Sequence, residues 1–155
     1  SVTAPHPLVE RIADLFLRPG YLPNREDDAI NRARIAGEWQ TGQWVLVAGQ
    51  RDRFWGWMSW YRVSDEVRDL LRCDRARAVL DRGRPEELRD GPHCYIATAV
   101  VAPWAPRETY RLLYRLTCAT NADAQTVCGH MVKRDGRVLW HQRRPPDGAG
   151  RFATA

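Results

Sequence analysis

The run from His93 to Val101 carries no formal charge and is rich in β-branched residues. It constrains the fold more than any other stretch. It is too short to cross a bilayer, which takes roughly 18 or more apolar residues. It suits a central strand buried on both faces of a sheet. Pro103 and Pro106 then break it within Ala102-Pro103-Trp104-Ala105-Pro106. From Arg107 to Thr117 the pattern becomes helical, with Tyr110, Leu113, Tyr114 and Thr117 at i, i+3, i+4 and i+7.

The elements on either side follow from similar signals. Pro7 to Leu17 reads as a helix with Leu8, Ile12, Leu15 and Phe16 on one face. A second helix is expected from Arg25 to Ala36, with acidic residues in its first turn and Gly37 closing it. Trp44–Ala48 and Phe54–Val63 read as strands around the turn at Gly49–Asp52. Ser64 can cap a helix over Asp65–Leu71, and Asp74–Leu80 suggests a further helical turn before a polar loop from Arg84 to Gly91. Asp135-Gly136 lies between the alternating runs Thr126–Lys133 and Arg137–Gln142, a hairpin signal for which a primed turn is expected. The order implies an α+β domain over residues 1–144: a mixed, mostly antiparallel sheet with helices on its faces, and a loose tail at 145–155.

Composition excludes several classes. At 155 residues with 44% hydrophobic content the chain can bury a core without staples. No apolar run has membrane-spanning length, and Ser1–Pro5 lacks the pattern of a secretory leader. The expected location is therefore the cytoplasm, or the interior of a phage particle. Cys73, Cys94, Cys118 and Cys128 are irregularly spaced, so free thiols are expected rather than disulfides. A zinc site from Cys94, Cys118, Cys128 and His130 would lack the usual short paired spacing, so no metal is expected. The net charge is +5, carried almost wholly by arginine, with Lys133 the sole lysine. Acidic residues interrupt the arginines, and a GC-rich coding bias explains them better than one basic face. Lys133, Arg134, Arg137, Arg143 and Arg144 beside Trp140 form the one cluster suited to a weak nucleic-acid contact.

The strand pair Trp44–Ala48 and Phe54–Val63, the central strand ending in Val100-Val101-Ala102-Pro103, and the helix after Arg107 together resemble the GNAT-like N-acyltransferase superfamily. Gly56-Trp57-Met58-Ser59-Trp60, a following helix and Val100–Pro103 are similar in layout to the toxin-activating lysine acyltransferases, over about residues 40 to 140. The resemblance implies a splayed central strand whose free backbone groups pair with the pantetheine arm of acyl-CoA. It also implies a helix N-terminus that holds the pyrophosphate. Carried onto this chain, the acyl donor is acyl-CoA as co-substrate, or a carrier-bound acyl group, bound by Ala99, Val100 and Val101 and by Arg107 and Thr109. The acceptor is an amine: a protein lysine, a small amine or a modified nucleobase. The chain departs from the pattern at three places. Trp104 to Thr109 has no glycine, Ala99 stands where the toxin-activating family has an aspartate, and the first helix contains no histidine.

Amine acylation requires a base for the ammonium and an acid for the leaving thiolate. His93 and Glu38 are the candidate bases, and Tyr110 (with Tyr114) the candidate acid. Each has a plain structural reading beside it: an engaged histidine, a buried carboxylate, helix-face aromatics. Trp55, Trp57 and Trp60 are core residues first and groove-lining residues second. The alternative function is a domain of this fold that has lost catalysis and serves in binding or assembly.

Overall fold

The structure, a computed structural model, describes residues 6–21, 27–75 and 88–145. Two helices lead. Helix α1 spans Pro7–Phe16, capped by the His6 side chain on the Leu8 amide, and buries Val9, Ile12, Ala13 and Phe16. Helix α2 spans Asp28–Thr41. The Asp27 carboxylate accepts from the amides of Ala29 and Ile30, as an N-cap should. The expected closure at Gly37 does not occur. Gly37 lies inside α2, and Gly42, left-handed at φ 72°, ends the helix instead. The extra turn carries Glu38 into the interior and stacks Trp39 on Trp44 at 4.3 Å between ring centroids.

Strands β1 (Trp44–Ala48), β2 (Phe54–Val63) and β3 (His93–Val101) match the expected bounds. Helix α3 (Asp65–Leu70), capped by Ser64, continues into a wide π-type turn over Leu71–Arg75. Most of the segment expected as helix at Asp74–Leu80, and half of the polar loop expected at Arg84–Gly91, lie outside the described residues. Helix α4 (Thr109–Thr120) starts two residues after Arg107, and strands β4 (Thr126–Val132) and β5 (Val138–Arg143) complete the chain.

The sheet order is β1-β2-β3-β4-β5. All neighbours are antiparallel except β3 and β4, which run parallel. The expected α+β architecture, a mostly antiparallel sheet with helices on both faces, is thus present. One face carries Trp57 and Val100 against α1 and α2. The other carries Met58 against Leu113 of α4. Gly56 sets how closely α4 approaches, because a Cβ there would meet Leu113 Cδ1 at 2.7 Å and Thr109 Cγ2 at 3.0 Å.

The Asp135-Gly136 turn has the positive φ expected at glycine, but not the expected primed type. At Asp135-Gly136 only glycine has positive φ, 86°. Lys133 N–H donates to Arg137 O, so three residues form the loop. This is the bulged three-residue turn, not a two-residue primed one. The consecutive left-handed pair falls instead at Arg51 (φ 58°) and Asp52 (φ 55°), between β1 and β2.

Candidate functional site

The parallel pair β3/β4 is short. His93–Ile96 pair with Thr126–Gly129, and pairing stops there. Strand β4 continues with β5, while β3 runs on to Val101 beside β2 alone. A bulge adds to this divergence: Ser59 faces Thr98 but Trp60 faces Ile96, so Ala97 is an extra residue on β3.

The direction of the unpaired groups follows from the ladder. Trp55 and Ala102 are hydrogen-bonded across β2/β3, with Ala102 N–H donating to Trp55 O at 2.8 Å. Alternate residues of β3 therefore turn their backbone toward β2, and Ala99 and Val101 turn theirs into the gap. Those groups are satisfied from within the chain. The Tyr21 hydroxyl donates to Ala99 O at 2.9 Å and accepts from Val101 N–H at 3.1 Å. The Arg18 guanidinium donates to Val101 O at 2.9 Å and stacks over the Tyr21 ring at 4.0 Å. Burial raises the Tyr21 phenol above its ordinary pKa, so the hydroxyl remains a donor at neutral pH.

Next to the divergence point lies an apolar cavity of about 200 Å³, lined by Ile96, Tyr110, Tyr114, Gly129, His130 and Met131 among others. Tyr110 is 47% exposed on the cavity rim, not in the core. It lies near enough to Tyr21 to add to the upward push on that phenol. Burial pushes Tyr114 up to about 12.

On the α1/α2 face, one residue past the bulge, Thr98 meets Glu38. Glu38 is fully buried. Its carboxylate accepts from Thr98 Oγ1 at 2.8 Å and from Ser59 Oγ at 3.1 Å. Arg34, one helical turn earlier, donates to the same carboxylate at 3.2 Å and also bonds Thr98 Oγ1. Desolvation raises the Glu38 pKa, and Arg34 and the two hydroxyls pull it partly back. This carboxylate–hydroxyl unit is the buried titratable group beside the bulge.

His93 is placed differently. It is 1% exposed at the paired end of β3, away from the gap. Its Nε2 lies 2.6 Å from Asp65 Oδ1 and 3.1 Å from Arg68, and its Nδ1 lies 2.7 Å from Thr126 Oγ1. The bond to His93 holds the Asp65 carboxyl below its ordinary range. Both ring nitrogens are thus committed to joining α3, β3 and β4.

The break after β3 is held without glycine. Ala105 N–H donates to Ala102 O, and Trp104 Nε1 donates to Phe54 O at 2.7 Å. Arg107 is exposed just ahead of α4. Glu108 caps α4 with no side-chain bond, and of the first-turn amides Thr109 N–H donates to Pro106 O at 3.0 Å. Thr109 is buried, and its hydroxyl lacks a partner among the described residues. On the other side of Trp104 opens a cleft of about 800 Å³, lined by Arg11, Arg51, Arg53, Trp55, Trp104 and Pro106. Arg53 lies 5.1 Å over the Trp104 ring. Sequence reasoning missed this cleft and the Tyr21 contact. Of the tryptophans it singled out, Trp55 lines the cleft, whereas Trp57 and Trp60 are buried in the core. Among the described residues no group of three or more His, Cys, Asp or Glu side chains converges as a metal site, and no helix is long and apolar enough to cross a membrane.

No family model and no curated protein matches the sequence. Among solved structures, the chain is similar to that of a GphF GNAT-like decarboxylase in complex with isobutyryl-CoA. The match has 16% identity and a TM-score of 0.55, and covers 79% of this chain and 60% of that one. The chain therefore has a GNAT-like fold and spans less than two thirds of that structure.

Proposed function

We propose that the chain binds an acyl-CoA along the free edge of β3 and transfers the acyl group to an amine. The observation that carries this reading is the gap between β3 and β4. Pairing stops at Ile96/Gly129, the backbone of Ala99 and Val101 turns into the opening, and α4 begins at the same end. A pantetheine arm carries amide groups that pair with such an edge. First-turn amides with Arg107 suit a diphosphate. The arginines of the cleft beside Trp104 offer further charge for the nucleotide end. An acyl chain in the cavity of about 200 Å³ would be a short one. That the structural neighbour was solved with isobutyryl-CoA supports this donor class.

In this reading the acceptor nitrogen attacks the thioester carbon, and the C–S bond breaks as the C–N bond forms. Glu38 takes the ammonium proton, relayed through Thr98 or a water; burial raises its pKa, which makes its carboxylate a stronger base than an exposed one. Tyr110, on the cavity rim, returns a proton to the leaving thiolate. The acceptor is a protein lysine, a small amine or a modified nucleobase.

A second reading has its own supporting observation. Tyr21 fills the β3 edge and the loop before α4 has no glycine, as in a domain that keeps the fold and serves in binding or assembly. Thermal-shift measurements with acetyl-CoA, isobutyryl-CoA and a long-chain acyl-CoA separate the two, because a ligand bound only by the folded state stabilises it. Mass spectrometry after incubation with an amine then tests transfer. Including a carboxylated acyl-CoA tests the decarboxylation that the neighbour's name describes.

A further inference from the structure

We infer that Arg18 and Tyr21 form an internal plug in the acyl-CoA site, so that donor binding and the closed position of this segment exclude each other. The inference rests on the acyl-CoA reading above. Three backbone groups on the open edge of β3 are involved, Ala99 O, Val101 N–H and Val101 O, and side chains bond all three. One hydroxyl both donates to Ala99 O and accepts from Val101 N–H. It thereby copies the donor-and-acceptor pattern that an amide of an added strand would present.

The plug is built. Arg18 donates to Leu15 O at 2.9 Å, and its guanidinium carbon lies 4.0 Å from the Tyr21 ring centroid. The ring packs edge-on against Phe16 at 6.1 Å between centroids. Arg18-Pro19-Gly20-Tyr21 reaches the edge through Gly20 at φ 78°, a backbone state that other residues rarely adopt. The contact joins the end of α1 to a strand 78 to 83 residues later in the chain. It occupies the same atoms that pantetheine would use, so the apparent affinity for the donor falls with the fraction of chains in which the plug is open. The gap therefore takes an acyl-CoA only when the Arg18–Tyr21 segment swings aside. Any partner that holds α1 away from the sheet would raise donor affinity.

The test is calorimetric titration with isobutyryl-CoA of the wild-type protein, Tyr21→Phe and Arg18→Gln, with circular dichroism to check folding. Removing the Tyr21 hydroxyl breaks two bonds of the closed state. The expected result is tighter binding by Tyr21→Phe, about fivefold or more, with a smaller gain for Arg18→Gln. Should Tyr21→Phe fail to fold, Arg18→Gln carries the comparison alone. Wild-type binding with equal or weaker binding by the variants overturns the plug and leaves the acyl-CoA reading standing. Tyr21 would then be a tether or a ligand contact. Absence of binding by all three proteins at millimolar isobutyryl-CoA overturns the acyl-CoA reading and the plug together. Binding by the variants but not by the wild type supports both.

Discussion

The Thr98 hydroxyl donates to the buried Glu38 carboxylate at 2.8 Å, across the α1/α2 face of the sheet. Glu38 comes from α2 and Thr98 from the residue after the β3 bulge, so the pair ties the first helices to the point where the sheet opens. A carboxylate without solvent contact is tolerable there because Ser59 and Arg34 satisfy its remaining capacity.

Glu38→Ala should cost about 3–5 kcal/mol, since it strands Arg34, Thr98 and Ser59. Glu38→Gln keeps the shape and should cost less. Because burial raises the folded pKa above the ordinary 4.5, the folded chain holds that proton longer than the unfolded one. This contribution is therefore full below 4.5, falls as pH rises toward the folded pKa, and is flat beyond it. Urea unfolding across this range should show the decline in wild type and its loss in Glu38→Gln. Glu38→Gln should also abolish acyl transfer while leaving donor affinity unchanged.

Asp52→Gly should stabilise the fold by about 0.5–1 kcal/mol, because Asp52 holds φ 55° beside Arg51 at φ 58° in the β1–β2 turn. Gly136→Ala, at φ 86°, should destabilise by about 1–2 kcal/mol. Thermal melts of the two variants should move in opposite directions.

Thiol chemistry should divide the cysteines. Cys73 is exposed, whereas Cys94, Cys118 and Cys128 are buried. Burial pushes the Cys128 thiol up to about 12 and raises Cys94 and Cys118 as well. A thiol reagent at neutral pH should find one fast site in the native protein and all four after denaturation. Three fast native sites would contradict the packing of β3, β4 and α4.

The strands were legible because their signals are local. Apolar β-rich runs between turn residues placed β1, β2 and β3 at their observed bounds. Gly37 misled because an exposed glycine with open space around its Cβ position sits in a helix at modest cost, and Gly42 supplies the left-handed cap five residues later. Glu38 was legible as a candidate, but its partners were not. Ser59 and Thr98 lie 21 and 60 residues away, and only strand register brings them together. His93 stood at the start of the right strand, yet register places it at the paired end, where Asp65 and Thr126 engage it. Tyr21 gave no sequence signal, because its hydroxyl bonds a backbone edge and not a side-chain motif.

The central claim is that an acyl-CoA lies between the free edge of β3 and the start of α4. Calorimetric titration of wild type and Arg107→Glu with CoA and isobutyryl-CoA tests it most directly. Arg107 is exposed, so the variant should fold normally by circular dichroism. The predicted result is saturable wild-type binding, weakened in Arg107→Glu by on the order of 1–3 kcal/mol for a lost charge-assisted contact. Equal binding by both proteins would remove the diphosphate from Arg107. No binding at millimolar ligand, by the wild type or by the unplugged Tyr21→Phe chain, would contradict the claim itself.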